Sequence, residues 1–461
     1  MEIYNNFVIN ANSERYQPFL FNLFSGRRRL LNEQEFMAVK AMINGSELSE
    51  ETISVRDMLF REKQFITDED RDRIENSLLE SGYWNSEQIY ADDYRFSIEL
   101  TRDCNMKCAF CYASAREKGY SMTKEHIDEI YRFYEKYADD HKKIEATPYI
   151  RITGGETLVS EASASLIGYV AEKWKNAEID LFTNGINLLK YYEYLPINRL
   201  SEVNISLDGT EKIHLKHRFN GMVPDNISFG NIIDGIKKLL ADGINVKIKT
   251  VLDADNYKYF GELKDFLLKE EILNSPNCEH IVSVALDYKD ELGVMEGIKD
   301  LQEINKIRRT VESHGGAVST YPSLSVLYSL FARNENAPCK LKCTRCNNKR
   351  LANLYFSSNG KVYHCDCMGD EISPLGTFFP KVKIDDVVIS TLENRNIFKF
   401  DKCCNCKYKY VCLGGCPLNG RATGSIMECG AFKREDILDN LEYDYAGLLR
   451  RRKMENGYEA N

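Results

Sequence analysis

From about residue 94 the apolar positions alternate between two spacings, a period of two in short runs and a helical period in longer ones. Phe96, Ile98 and Leu100 are separated by polar neighbours, and further strand-like runs recur at Tyr149–Thr153, Ile179–Thr183, Val203–Leu207, Val246–Leu252 and Ile281–Leu286. Amphipathic helices lie between them. One carries Ile127, Ile130, Tyr131 and Tyr134 behind Thr123 as its cap; another carries Ile232, Ile233, Ile236, Leu239 and Leu240. Six strands with intervening helices predict an α/β fold with a parallel sheet, which right-handed crossovers curl into a partial (β/α)6 barrel over residues 91–315. In such barrels functional groups gather where strands end and loops begin.

The flanks are patterned differently. Residues 1–90 read as a small α+β module: Phe19–Phe24 is strand-like, and Asn32 with Glu35 forms a capping box ahead of Phe36, Val39, Met42 and Ile43. Thr67 and Asp70 open a second helix through Ile74, Leu78 and Leu79, and Arg27-Arg28-Arg29 reads as a solvated turn. After a bridging stretch at 316–338, residues 339–430 are rich in Cys, Gly, Asn and Lys, a composition that folds around metals rather than around an apolar core. Residues 431–461 read as a C-terminal helix and tail, with Ile437, Leu441 and Leu448 as packing positions.

Composition narrows the function. A net charge of −9 over 461 residues argues against a nucleic-acid partner. No apolar run is long enough to cross a bilayer, and Met1-Glu-Ile-Tyr-Asn lacks the character of a signal peptide, so the expected location is cytoplasmic, with no membrane partner. There the 15 cysteines stay reduced, which makes metal ligation the better reading than disulfides. Three fall at 104–111, Cys278 stands alone as a free thiol, and eleven lie between Cys339 and Cys429. Two separate metal regions follow.

The first is Cys104-x3-Cys108-x2-Cys111, placed just after a strand, with Phe110 before the third cysteine. Three thiolates can hold three irons of a [4Fe–4S] cube and leave the fourth open to chemistry. The next strand ends in Gly154-Gly155-Glu156, the third in Thr183-Asn184, and on the fourth Asn204, Ser206 and Asp208 share one face. Paired glycines permit close backbone approach, Glu156 can accept from an ammonium group, and Asp208 serves either a ligand or the cap of the next turn.

Together these residues resemble the radical S-adenosylmethionine (SAM) family, whose fold is a partial TIM-type barrel. The resemblance implies that SAM chelates the open iron, that Gly154, Gly155 and Glu156 receive its amino group, and that Ser206 and Arg218 touch its ribose or carboxylate. Arg218 ends His214-Leu-Lys-His-Arg218, similar to a motif of sulfatase- and peptide-maturing members. Thr157 stands where proline often follows Gly-Gly-Glu in the family.

The second region, Cys403-x2-Cys406-x5-Cys412-x3-Cys416 with Cys429, and upstream Cys346 and Cys365, resembles the auxiliary-cluster domain called SPASM. That resemblance implies two more [4Fe–4S] clusters. One is held by Cys403, Cys406, Cys412 and Cys429, the other by Cys346, Cys365 and Cys416 with Cys339 or Cys343 as a fourth ligand. Three clusters plus SAM are thus expected. Cys339-x3-Cys343-x2-Cys346 repeats the spacing of the first motif but has Arg345 where Phe110 stands, and reads as auxiliary ligation. Two full clusters use eight of the eleven cysteines and leave three, among them Cys367 and Cys404. Asp366 stands at the position of the general base of anaerobic sulfatase-maturing enzymes.

With its N-terminal module, similar to a winged-helix-like peptide-recognition domain, the chain resembles maturases of ribosomally made peptides, the thioether-forming sactipeptide and ranthipeptide synthases. The implied partners are a cysteine-rich precursor peptide with its leader and an external one-electron reductant of flavodoxin or ferredoxin type. The expected product is a Cys thioether; carbon–carbon cross-linking, epimerisation and formylglycine formation on a sulfatase stay open.

Overall fold

The computed structural model describes, with short internal gaps, residues 6–9, 19–22, 28–80, 95–140, 148–285, 301–318, 353–366 and 374–393, and a few positions between 397 and 414. The bridging region beyond 318, Cys339, Cys343, Cys346, Cys367, Cys412, Cys416, Cys429 and the expected C-terminal helix lie outside these residues. The chain divides into two compact units, one of residues 1–89, 320–346 and 394–461, the other of 90–319 and 347–393.

In the first unit, strands β1 (Asn6–Ile9), β2 (Phe19–Asn22) and β3 (Arg28–Leu30) form an antiparallel sheet in sequence order. Helices α1 (Glu33–Ile43), α2 (Glu50–Arg61) and α3 (Asp68–Glu80) follow. Leu20, Leu31, Val39 and Leu59 make their common core, each fully buried and worth roughly 1.5–3 kcal/mol. The capping box forms as expected: the Glu35 amide donates to Asn32 Oδ1 at 2.8 Å and the Asn32 amide to Glu35 Oε2 at 3.0 Å. Thr67 Oγ1 accepts from the Asp70 amide at 3.1 Å. Arg29 is no solvated turn residue. It lies on β3 and pairs with Glu35 at 2.6 Å and Glu62 at 2.8 Å, which ties β3 to α1 and the end of α2.

The second unit is the sheet-and-helix body. Its strands are β4 (Arg95–Glu99), β5 (Tyr149–Thr153), β6 (Glu178–Thr183), β7 (Leu200–Ser206), β8 (Asn245–Leu252), β9 (Cys278–Val284), β10 (Asn353–Phe356), β11 (Lys361–Tyr363), β12 (Gly376–Thr377) and β13 (Lys383–Ile384). Its helices are α4 (Lys124–Asp140), α5 (Glu161–Lys173), α6 (Glu211–Phe219), α7 (Phe229–Ala241), α8 (Phe260–Lys269), α9 (Leu301–Ser313) and α10 (Asp386–Glu393). The ten strands run in the order β13-β12-β11-β10-β4-β5-β6-β7-β8-β9 and do not close. The six expected strands, β4 to β9, are parallel neighbours in chain order.

The sheet also extends beyond the six strands that the sequence pattern predicts. β10 adds parallel to β4, with Leu354 opposite Phe96, and β11–β13 continue antiparallel. The reason is packing: Phe356 meets Phe96 and Phe133 edge-on at 5.7 and 5.6 Å, completing the core under α4. Along β8 the pleat sends Val246, Ile248, Thr250 and Leu252 into the protein and leaves Lys247 and Lys249 on the opposite face. Leu252 and Val282 pack against Phe260, Ile307 and Val311 of α8 and α9, so Lys247 and Lys249 face away from the helices.

Candidate functional site

The carboxyl ends of β4 to β7 bring together most of the residues singled out above. The cysteine loop leaves β4 and is held by the strand beside it. The Gly155 amide donates to Thr101 O at 2.7 Å and the Glu156 amide to Asp103 O at 2.8 Å. A Cβ on Gly154 would stand 2.7 Å from Thr101 O, and one on Gly155 2.4 Å from Asp103 O. The paired glycines therefore admit the chain's own backbone, which carries Cys104.

Glu156 is buried and its carboxylate is occupied by the protein. Oε1 accepts from Thr183 Oγ1 at 2.6 Å and the Leu158 amide at 2.8 Å; Oε2 accepts from the Asn184 amide at 2.6 Å. Burial pushes its pKa up, against the pull of these donors. Asn184 in turn donates through Nδ2 to Asn105 Oδ1 at 2.7 Å, inside the cysteine loop. Glu156, Thr183 and Asn184 thus clamp the ends of β5 and β6 to that loop.

A second clamp stands beyond β7. Asp208 accepts from Arg218 Nε and Nη2 at 2.5 and 2.9 Å, from His217 Nδ1 at 2.7 Å and from the Val251 amide at 2.8 Å. That fills its acceptor positions. Burial alone would raise the Asp208 pKa, but the Arg218 cation and the His217 bond hold it well below the usual carboxylate range. His217 also bridges to Asp253 Oδ2 at 2.9 Å and stacks on Phe110 with centroids 4.5 Å apart. Burial opposes its charge, yet the two carboxylates lift it to about 9. His214 Nδ1 accepts from the Asp208 amide at 3.1 Å, and burial pulls His214 down to about 3, so it is neutral.

Arg218 links this network to the cysteines. Its carbonyl accepts from the Lys107 amide at 3.0 Å, Nη1 lies 3.9 Å from Cys108 Sγ, and its guanidinium sits 5.1 Å over Phe110. Ser206, half-buried at the end of β7, makes neither clamp and pairs in register with Lys249. On the other side, buried Glu99 accepts from Arg102 at 3.2 Å and Ser357 Oγ at 2.5 Å, which fixes the loop root to the turn after β10. Asp253, Glu99 and Arg102 carried no motif signal, and His217 had only its place inside the His214–Arg218 run. Only the polar character of positions facing a core pointed to them.

Cys104, Cys108 and Cys111 share this loop and form no disulfide. Burial and then nearby Glu156 push the Cys104 thiol up to about 12, and burial raises Cys108 as well. Such thiols ionise for a metal rather than for water. Among the described residues no three His, Cys, Asp or Glu side chains converge as one mononuclear ion requires. A [4Fe–4S] cube instead takes each thiolate on a separate iron. Three thiols beside the Arg218 cation suit such an anionic cluster.

Asp366 and Cys365 stand elsewhere in the same unit. They follow β11, whose antiparallel pairing returns the chain to the amino end of β10 and β4, away from the cysteine loop. Asp366 Oδ2 lies 3.7 Å from Arg151 Nη1, and Cys365 Sγ 3.6 Å from Asp366 Oδ1. In the other unit, Cys403 and Cys406 form a turn, with the Cys406 amide donating to Cys403 O at 3.0 Å.

An unclosed parallel sheet with a three-cysteine loop at its carboxyl end defines a class, and residues 98–267 match the Radical SAM superfamily. This part of the chain is similar to radical SAM domains. In sequence, GTP 3′,8-cyclase of Clostridium perfringens (strain SM101 / Type A) is 30% identical over 236 residues, 47% of this chain and 64% of that protein, so the match spans less than two thirds of the cyclase. A serine-type anaerobic sulfatase-maturating enzyme of Bacteroides thetaiotaomicron is 22% identical over 341 residues, 68% of this chain and 80% of that one. In structure, Streptococcus suis SuiB bound to S-adenosylmethionine aligns with a TM-score of 0.52 and 18% identity over 93% of this chain and 97% of that one. The enzyme anSMEcpe with bound AdoMet gives 0.55 and 16% over 78% and 98%. At these identities the two structures establish a shared fold.

Proposed function

We propose that this protein is a radical SAM peptide maturase that installs a cross-link, a Cys thioether, in a ribosomally made precursor peptide. The supporting observation is the extent of the fold match. SuiB has been solved with its precursor peptide SuiA, and in that form it aligns over 90% of this chain and 96% of its own, with a TM-score of 0.54. The cyclases cover less of this chain, 47% for the Clostridium perfringens protein and 65% for that of Peptoclostridium acidaminophilum. Residues 1–90 would bind the leader and the cysteines from 339 to 429 would carry two auxiliary clusters. The thioether reading applies if neither Cys339 nor Cys343 ligates the first auxiliary cluster, which would leave one iron where a substrate sulfur could bind.

When bound, the cluster and SAM supply a 5′-deoxyadenosyl radical able to take hydrogen from carbon. The chain's own residues do the rest. Gly154 and Gly155 set the depth of the cysteine loop, Glu156 and Asn184 hold it against β5 and β6, and Arg218 places positive charge beside Cys108. Asp366, paired with Arg151, is the proposed base for a substrate proton. That same carboxylate favours formylglycine formation as the second reading, since anSMEcpe has been solved with a Cp18Cys peptide.

The test is the intact mass of a small cysteine-rich peptide encoded beside this gene, after anaerobic incubation with reconstituted protein, SAM and reductant. Loss of two hydrogens per event with a cysteine protected from alkylation supports the thioether. The same loss with every thiol free points to another cross-link, and no change in the peptide, with turnover of GTP instead, refutes the reading.

A further inference from the structure

The face of the sheet turned away from the helices is charged, and two of its cations lack a close carboxylate partner. Glu202 is taken by Lys247 at 2.6 Å, and Asp180 accepts from the Tyr149 hydroxyl. Arg151 has only the long 3.7 Å pair with Asp366, and its Nε is buried without a partner. Its guanidinium lies 5.1 Å from the centroid of Phe182; Lys249 Nζ lies 4.6 Å from the same ring and makes no ion pair among the described residues. A cavity of about 230 Å³ opens at Arg151, bounded by Arg95, Ser97, Tyr149, Cys365 and Asp366.

The Arg151 guanidinium and the Lys249 amine, neither in a close ion pair and both against Phe182 beside an open space, form an anion site. A planar, one-third exposed guanidinium favours a carboxylate, which it can hold in two parallel bonds. The volume is below the roughly 300–1,000 Å³ of pockets for whole small molecules, so it suits a side chain rather than a nucleotide. We propose that Arg151, backed by Lys249 across Phe182, recognises the carboxylate of an acidic residue in the peptide substrate. This rests on the maturase reading and narrows its substrate to peptides that carry Asp or Glu.

Burial and the nearby Arg151 charge lower the Lys249 pKa, which makes its amine a convenient reporter. The full-length reconstituted protein is labelled with acetic anhydride and Lys249 acetylation is read by peptide mass spectrometry. The expected result is several-fold protection by N-acetylglutamate α-amide, none by N-acetylglutaminamide, and loss of protection in Arg151→Met. Equal protection by both compounds, protection surviving in Arg151→Met, or protection by GTP alone overturns the proposal. Should Arg151→Met fail to fold, Arg151→Lys keeps the charge without the fork and is expected to give weaker protection. In a second arm, changing the acidic residue of the precursor peptide to its amide should raise KM with the wild-type enzyme and add nothing in the Arg151 variant; additive losses overturn the proposal. A peptide left unmodified by wild-type enzyme, with carboxylate protection intact, supports the anion site and counts against the maturase reading alone.

Discussion

Replacing Asp208 by Asn tests the clamp that positions the cysteine loop. The carboxylate is fully buried and receives four donors, two of them from Arg218. The Asp208→Asn side chain keeps the shape and loses the charge. His217 can then shed its proton, since the carboxylate that helps hold it near 9 is gone, but a guanidinium cannot. Arg218 is left as an uncompensated buried cation, a loss of about 3–5 kcal/mol. At 1.4 kcal/mol per decade, local opening becomes on the order of a hundredfold to a few thousandfold more frequent. Because the Arg218 carbonyl holds the Lys107 amide and its Nη1 faces Cys108, the loss reaches the cysteine loop. Hydrogen-exchange mass spectrometry of the full chain at neutral pH should therefore show faster exchange at 206–219 and at 104–111 together. The double variant Asp208→Asn/Arg218→Met should recover part of the protection, as removal of the stranded charge requires. Exchange within about threefold of wild type at both segments would refute the argument.

Three further outcomes follow from the same geometry. His217 is raised from 6.5 to about 9, so its contribution is complete below its unfolded value and disappears as pH rises through 9; exchange at 206–219, corrected for intrinsic rates, should accelerate across that range, and a flat profile would count against the bridge. Gly155→Ala puts a methyl against the Asp103 and Arg102 carbonyls, overpacking worth about 1–3 kcal/mol, and should displace the loop enough to lower iron content and SAM cleavage; full iron loading would contradict this. Cys104→Ala should abolish SAM cleavage while leaving auxiliary-cluster signals in the electron paramagnetic resonance spectrum, and retained 5′-deoxyadenosine formation would sink the active-site assignment.

Legibility follows the range of the interactions. β5 can be read to the residue because its alternation is strict, and the Asn32–Glu35 box because it is a contact across three residues. The glycine pair is evident in the sequence, but the partner of its close approach, the Thr101–Asp103 backbone, is set by the register of β4 on β5 and is invisible in one dimension. β10 to β13 are four residues or fewer, too short for a periodicity, and β10 joins β4 across more than 250 positions. The Glu99–Arg102–Ser357 cluster is hidden for the same reason. Asp366 is marked by resemblance, whereas its ion pair with Arg151 depends on the turn after β11.

The central claim is that the radical formed at the Cys104–Cys111 loop takes its hydrogen from a peptide. The most direct measurement is isotopic: the precursor peptide is made with perdeuterated residues, incubated anaerobically with the reconstituted enzyme, SAM and reductant, and the 5′-deoxyadenosine is weighed. The account predicts deuterium in the deoxyadenosine in step with modified peptide. Deoxyadenosine free of deuterium while the peptide stays unchanged would contradict it.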